Sequence, residues 1–100
     1  MRVLILALLI AVSTPALAEK DYCGYISSIS KTIMKARQKG LSMQQVIEIV
    51  GSDTLLKEIV VSAYNKQRYM TEKFQERESD DFRDKWYLAC YKATEDSHES

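Results

Sequence analysis

Residues 40–51 read Gly40-Leu41-Ser42-Met43-Gln44-Gln45-Val46-Ile47-Glu48-Ile49-Val50-Gly51. Ser42 followed three residues later by Gln45 is a capping box. The serine hydroxyl takes the backbone N–H of the third helical residue, and the glutamine side chain reaches back to the cap. Leu41 before the cap and Val46 at the fourth helical position form the hydrophobic staple that goes with it. Gly40 supplies the positive φ with which a preceding helix ends, and Gly51 ends the following one. A helix is therefore predicted from Met43 to Val50, with Val46, Ile47 and Val50 facing inward.

The same reading extends in both directions. Upstream, Cys23, Ile26, Ile29, Ile33 and Ala36 recur at three and four, which predicts a helix over Asp21–Lys39. Arg37 and Lys39 suit the negative end of its dipole. Downstream, Ser52 or Asp53 caps a helix over Thr54–Asn65. Leu55, Leu56, Ile59, Val60 and Ala63 form its apolar face, widened by Val61 and Tyr64. The β-branched residues at 59–61 make a strand the competing reading, but the cap and the spacing favour helix. Asn65–Met70 reads as a connection. A last helix is predicted over Thr71–Ala93, with Met70, Phe74, Phe82, Trp86, Ala89, Cys90 and Ala93 on one face. Ser79-Asp80-Asp81 carries a restart signal, so one helix or two stays open. Three glycines and one proline in 100 residues leave few breakers. The expected class is all-α, a small four-to-five-helix bundle.

The first residues are of another kind. Arg2 is a short basic region, Val3–Val12 is an uncharged apolar run, and Pro15 precedes Ala16-Leu17-Ala18. These are the three parts of a secretory signal, with cleavage expected between Ala18 and Glu19. Ten apolar residues fall short of the roughly 20 that span a bilayer. No cysteine follows the cut to carry a lipid. The Leu/Ala-rich leader suggests bacterial export, with the periplasm as destination. The expected organisation is a cleaved leader over 1–18, a helical domain over 19–93 and a disordered acidic tail over 94–100.

Losing Arg2 with the leader takes the 14 Lys plus Arg down to 13, against 14 Asp plus Glu. That balance opposes general nucleic-acid binding and a membrane-lytic role, both of which need a cationic surface. No second apolar stretch offers stable membrane insertion after cleavage. Cys23 and Cys90 are the only cysteines. In an exported chain an even count reads as a disulfide, here joining the first helix to the last; pairing between chains is the alternative. Closing a loop of about 68 residues contributes roughly 4 kcal/mol in the chain-entropy model. The pair lacks the C-x-x-C spacing of redox catalysis and the histidines of a zinc site.

Catalytic candidates are few. His98 is the only histidine and lies in the expected tail, where a general base has no fixed position. The run Glu76, Glu78, Asp80, Asp81, Asp84 is interleaved with Arg77, Arg83 and Lys85. Pairs such as Asp81 with Lys85 read as a solvated face and not as carboxylates enclosed in a cleft. No calcium-loop pattern is present. The expectation is a protein without catalytic residues, metal or cofactor.

The aromatics carry more. Tyr22 and Tyr25 flank Cys23, and Trp86, Tyr87 and Tyr91 surround Cys90, so a Cys23–Cys90 bridge gathers them. They either complete a thin core over the disulfide or present a contact patch, since Tyr, Trp and Arg anchor interfaces. Tyr64, Arg68 and Tyr69 form a second candidate patch. Lys31, Lys35 and Lys39, with Arg37 nearby, make a basic strip. Such a strip usually serves solubility, and alternatively steers an acidic partner.

Ala36-Arg37-Gln38-x-Gly40 leading into Ser42, then Ala63-Tyr64, then Phe82-Arg83-x-Lys85-Trp86-Tyr87 and Cys90, resembles a layout of small exported proteins of proteobacteria and of their phages and prophages. The resemblance spans most of the mature chain. It is carried by core and capping residues and transfers no functional residue. It implies kinship of size, compartment and architecture with exported, disulfide-stapled phage proteins that block superinfection, some by inhibiting lysozyme domains. The functional expectation is thus a non-enzymatic, periplasmic protein-binding module with an unidentified protein partner, a superinfection-exclusion or lysozyme-inhibitor role being its specific form. A periplasmic stress or acid chaperone is the alternative.

Overall fold

The computed structural model describes residues 15–99, with side chains described over 22–95. The apolar run of the expected leader falls on residues 1–14, outside the described residues. Among the described residues four helices follow one another: α1 (Pro15–Gln38), α2 (Met43–Val50), α3 (Thr54–Tyr64) and α4 (Glu72–Glu99). Among the described residues there is no strand. The described residues form an all-α fold, and Cys23 and Cys90 are joined, with Cα atoms 5.5 Å apart.

α1 starts six residues before the expected Asp21. Pro15 occupies its first position, where the missing N–H costs nothing, and Ala16, Leu17 and Ala18 are strong helix formers. Its end is a Schellman motif. Gly40, at φ +94°, donates to the Arg37 carbonyl, and Leu41 N–H donates to the Ala36 carbonyl, both at 3.1 Å.

α2 has the predicted bounds. Gln45 N–H donates to Ser42 Oγ at 3.2 Å, and Ser42 N–H donates to Gln45 Oε1 at 3.0 Å. The cap of α3 is Asp53, whose carboxylate accepts from Leu56 N–H at 3.0 Å. The strand alternative at 59–61 is not realised. In helical geometry Ile59 and Val60 turn to the core with Ala63, whereas a strand would place Ile59 and Val60 on opposite faces.

α4 is one helix. Ser79 does not restart it: the side chain is buried and its Oγ donates to the Gln75 carbonyl one turn back at 2.9 Å, which satisfies the hydroxyl without breaking the helix. α4 continues past the expected end at Ala93 to Glu99, because residues 94–99 contain neither Gly nor Pro. Thr94 Oγ1 caps back onto the Tyr91 carbonyl at 2.8 Å.

α1 and α4 run antiparallel. The pairing is read from Cys23 with Cys90 at one end, Lys31 with Asp80 in the middle and Gln38 with Tyr69 at the other. α3 packs against α1, and α2 packs against α3 and more lightly against α1. The core consists of Ile26, Ile33, Met34, Val46, Ile59, Val60, Ala63 and Phe82, with Ile29, Ile47, Val50, Leu55, Leu56 and Trp86 half-buried around it. The expected face of α4 needs correction. Met70 is 93% exposed, and Phe74, Ala89, Ala93 and (on α3) Val61 are also exposed. α4 meets its neighbours along the narrow seam Gln75, Ser79, Phe82, Trp86, Cys90, spaced by three and four. A helix with one principal partner needs only such a stripe.

Candidate functional site

The expected patch of Tyr64, Arg68 and Tyr69 is part of the fold. Gln38, at the last position of α1, is 1% exposed. Its Nε2 donates to the Gln67 carbonyl, its Oε1 accepts from Tyr69 N–H, both at 2.8 Å, and its own carbonyl accepts from Arg68 Nε at 2.9 Å. Arg37 donates to the Lys66 carbonyl (Nη2 at 3.2 Å) and lies over the Tyr64 ring at 5.2 Å. Tyr64 Oη donates to the Leu41 carbonyl at 2.7 Å. Burial raises the Tyr64 phenol above its ordinary pKa, against the opposing charge of Arg37. Tyr69 packs on Phe74 at 6.0 Å, and its carbonyl accepts from Gln75 at 2.8 Å. Tyr64, Arg68 and Tyr69 therefore latch the 65–71 connection to the end of α1.

The expected patch around the disulfide divides. Trp86 meets Phe82 edge-on at 6.2 Å and belongs to the core side of α4. Its Nε1 is buried and finds no acceptor among the described residues. Tyr87 and Tyr91 stack at 6.5 Å and remain 40% and 44% exposed. Tyr22, Tyr25 and Leu88 are exposed as well.

The basic strip divides too. Lys31 Nζ lies 2.8 Å from Asp80 Oδ1, and Arg83 joins the same oxygen at 3.5 Å. The Lys31 ammonium at this distance, with the charges of Arg83 and Lys35 and over an opposing desolvation, holds the Asp80 carboxyl below its ordinary range. Lys35 and Lys39 close no ion pair among the described residues. With Gln38, Glu72, Gln75, Glu76 and Ser79 they line a small polar cleft of about 220 Å³ between α1 and α4. Of the acidic run, only Asp80 and Asp84 are ion-paired, and no cluster of ligating side chains among the described residues fits a metal ion.

The larger concavity was not foreseen. A groove of about 420 Å³ opens between α1 and α2. Tyr25, Ile29, Ile33 and Ala36 of α1, Leu41, Val46, Ile49 and Val50 of the capped unit and Leu56 of α3 line it, with Ser28 and Thr32 as the polar members. No charged side chain lines it. Ile49 is 76% and Tyr25 58% exposed at its edges. The capping box builds one wall: the Schellman turn ties Leu41 to Ala36, and the box starts α2, whose Val46, Ile49 and Val50 line the groove together with Ile29 of α1. The sequence carried a signal for this. α1 has a second stripe at 25, 29, 32 and 36 beside its core stripe, and Ile49 has no place on the inward face of an eight-residue helix.

No family profile, no curated protein and no solved structure matches this chain. No described helix is long and apolar enough to cross a membrane.

Proposed function

We propose that this protein is a small exported protein-binding module, a disulfide-closed helical bundle that works in the periplasm without chemistry of its own. The observation that carries the reading is the uncharged groove between α1 and α2. A contiguous apolar groove with an edge residue as exposed as Ile49 is the kind of surface that marks an interaction site. The stacked Tyr87–Tyr91 pair near the disulfide is a secondary contact surface, of the residue type that anchors interfaces. The leader over 1–18 and the bridge are consistent with export.

Photocrosslinking in the producing cell tests the reading, with a photoreactive residue at position 49 or 87. One dominant protein adduct supports it, and a lysozyme-type adduct supports the narrower exclusion or inhibitor role. Absence of any adduct at both positions would remove the binding reading. Intact mass of the protein from the periplasmic fraction tests the rest: a chain starting at Glu19, with both cysteines inaccessible to alkylation, is expected.

One observation favours the chaperone alternative enough to test it. Asp80 ties α4 to α1 through Lys31, and acid removes that tie. A rise in fluorescence of an apolar dye at pH well below the ordinary aspartate value of about 3.9, with loss of helix packing, would support acid-triggered exposure. A flat signal with the fold retained excludes it.

A further inference from the structure

We infer that the groove between α1 and α2 receives a single amphipathic helix of a partner protein, with an aliphatic face and with carboxylates along the one flank that meets Lys35 and Lys39. The inference rests on the binding-module reading above and names the partner's chemistry.

Three observations lead to it. The first is the shape and lining of the groove. From Tyr25 to Ala36 its α1 wall rises about 16 Å, three turns of helix, at 1.5 Å per residue. That length matches partner anchors at i, i+4 and i+7, the spacing with which helices enter apolar grooves.

The second is what the groove lacks. An extended peptide arrives with unpaired backbone N–H and C=O groups, which must find partners once water leaves. The described residues offer no strand edge, and Thr32 already donates its hydroxyl to the Ser28 carbonyl at 3.1 Å. A helix brings its backbone already satisfied.

The third is charge. Lys35 follows Thr32 by three residues and Lys39 follows Ala36 by three, so both stand next to groove residues on the surface of α1, on the ridge between the groove and the α1–α4 cleft that they line with Glu72 and Glu76. Their neighbour Lys31 is committed to Asp80, whereas they close no ion pair among the described residues. They form a line parallel to the groove, not a cluster at its mouth. That arrangement suits a row of carboxylates on a helix flank better than one lipid headgroup. Across the groove the carboxylates are occupied: Glu48 accepts from Gln44 and Asp53 caps α3.

The test uses the protein purified in the form the cell accumulates and two labelled, alanine-rich peptides of about 20 residues, longer than the roughly 12–15 below which isolated helices are marginal. Both have leucines at i, i+4, i+7; one carries Glu along one flank, the other Lys. Fluorescence anisotropy is expected to show saturable binding of the Glu peptide and markedly weaker binding of the Lys peptide. Ile49→Glu, at an exposed position that leaves the core intact, is expected to weaken binding about tenfold or more, as a charge does in a desolvated contact. Lys35→Glu combined with Lys39→Glu is expected to reverse the peptide preference, with the circular dichroism spectrum unchanged. Equal affinity for the two peptides, no saturable binding, or indifference to Ile49→Glu overturns the inference. Self-association, or binding to anionic vesicles, that Ile49→Glu abolishes reassigns the groove to a second copy or to a membrane and likewise overturns it. Protein adducts through position 87 with none through 49 would refute the groove while leaving the binding module standing.

Discussion

Gln38→Ala is expected to destabilise the protein by about 3 kcal/mol, more than any exposed polar substitution on α1. The magnitude follows from what the side chain touches. Gln38 is 1% exposed, and its amide holds the Gln67 carbonyl and the Tyr69 N–H, each at 2.8 Å. Truncation leaves both backbone groups without their partner. An orphaned buried group costs about 1–3 kcal/mol, and the low end applies here because Gln67 is exposed and Tyr69 half-buried, so water reaches part of the site. Two groups at about 1 kcal/mol each, with about 1 kcal/mol more for the buried methylenes, give the total. For a domain of this size that lowers the midpoint of thermal unfolding by about 15 °C. The assay is urea unfolding followed by far-UV circular dichroism, with the disulfide intact in every variant. Gln38→Met separates the contributions. It keeps the volume against Met34 and loses the polar contacts, so it should retain about 2 kcal/mol of the loss. Arg68→Ala removes one donor from an exposed side chain and should cost under about 1 kcal/mol. A Gln38→Ala protein as stable as the parent, or an Arg68→Ala protein destabilised as much, would refute Gln38 as the centre of the latch.

Reduction of the Cys23–Cys90 bridge frees a loop with a sequence separation of 67 and should cost about 4 kcal/mol, read as the change in urea midpoint with and without reductant. The two glycines of α1 and its cap should respond in opposite directions in a thermal melt. Gly24 lies inside the helix with nothing near a new Cβ, so Gly24→Ala should stabilise by about 0.5–1 kcal/mol. Gly40 sits at φ +94° with Arg68 Nη2 2.8 Å from a new Cβ, so Gly40→Ala should destabilise by about 1 kcal/mol or more. Asp80 has a folded pKa below its unfolded one, so its contribution is complete above the unfolded value of about 3.9 and is lost as pH falls through the folded value. Asp80→Asn should therefore flatten the acid limb of the stability curve below about pH 4 and lower stability slightly at neutral pH; an unchanged acid limb would exclude the Lys31–Asp80 tie as a source of stability.

Where the chemistry of a helix end is local, the sequence could be read to the residue. Ser42 with Gln45, Gly40 and Gly51 determine the bounds of α2, because a capping box and a positive-φ glycine act over four residues and need no tertiary partner. The disulfide was legible for a different reason, since two cysteines admit one pairing within the chain. Readings that needed the neighbour's position were weaker. Ser79 carries a restart signal in isolation, yet inside α4 its hydroxyl turns to the Gln75 carbonyl. Met70 and Phe74 have the spacing of a core face, yet they fall outside the stripe that α4 shows to α1.

The aromatic and cationic residues divide along the same line. The composition of Tyr64, Arg68 and Tyr69 is that of an interface, and nothing in it distinguishes an intermolecular contact from a latch. The Schellman turn at Gly40 carries the chain away from the end of α1, exposing the carbonyls of Gln38 and Leu41 at the place where Arg68 and Tyr64 return to cap them. The sequence by itself determined the helical class and the local caps, which are matters of near neighbours, and the bridge, for which two cysteines leave one pairing within the chain. Only the tertiary structure decided which polar residues close the fold, and that α1 and α2 leave an apolar groove between them near two lysines that close no ion pair among the described residues. Those outcomes depend on the angle between elements, which is determined by packing among residues far apart in the chain.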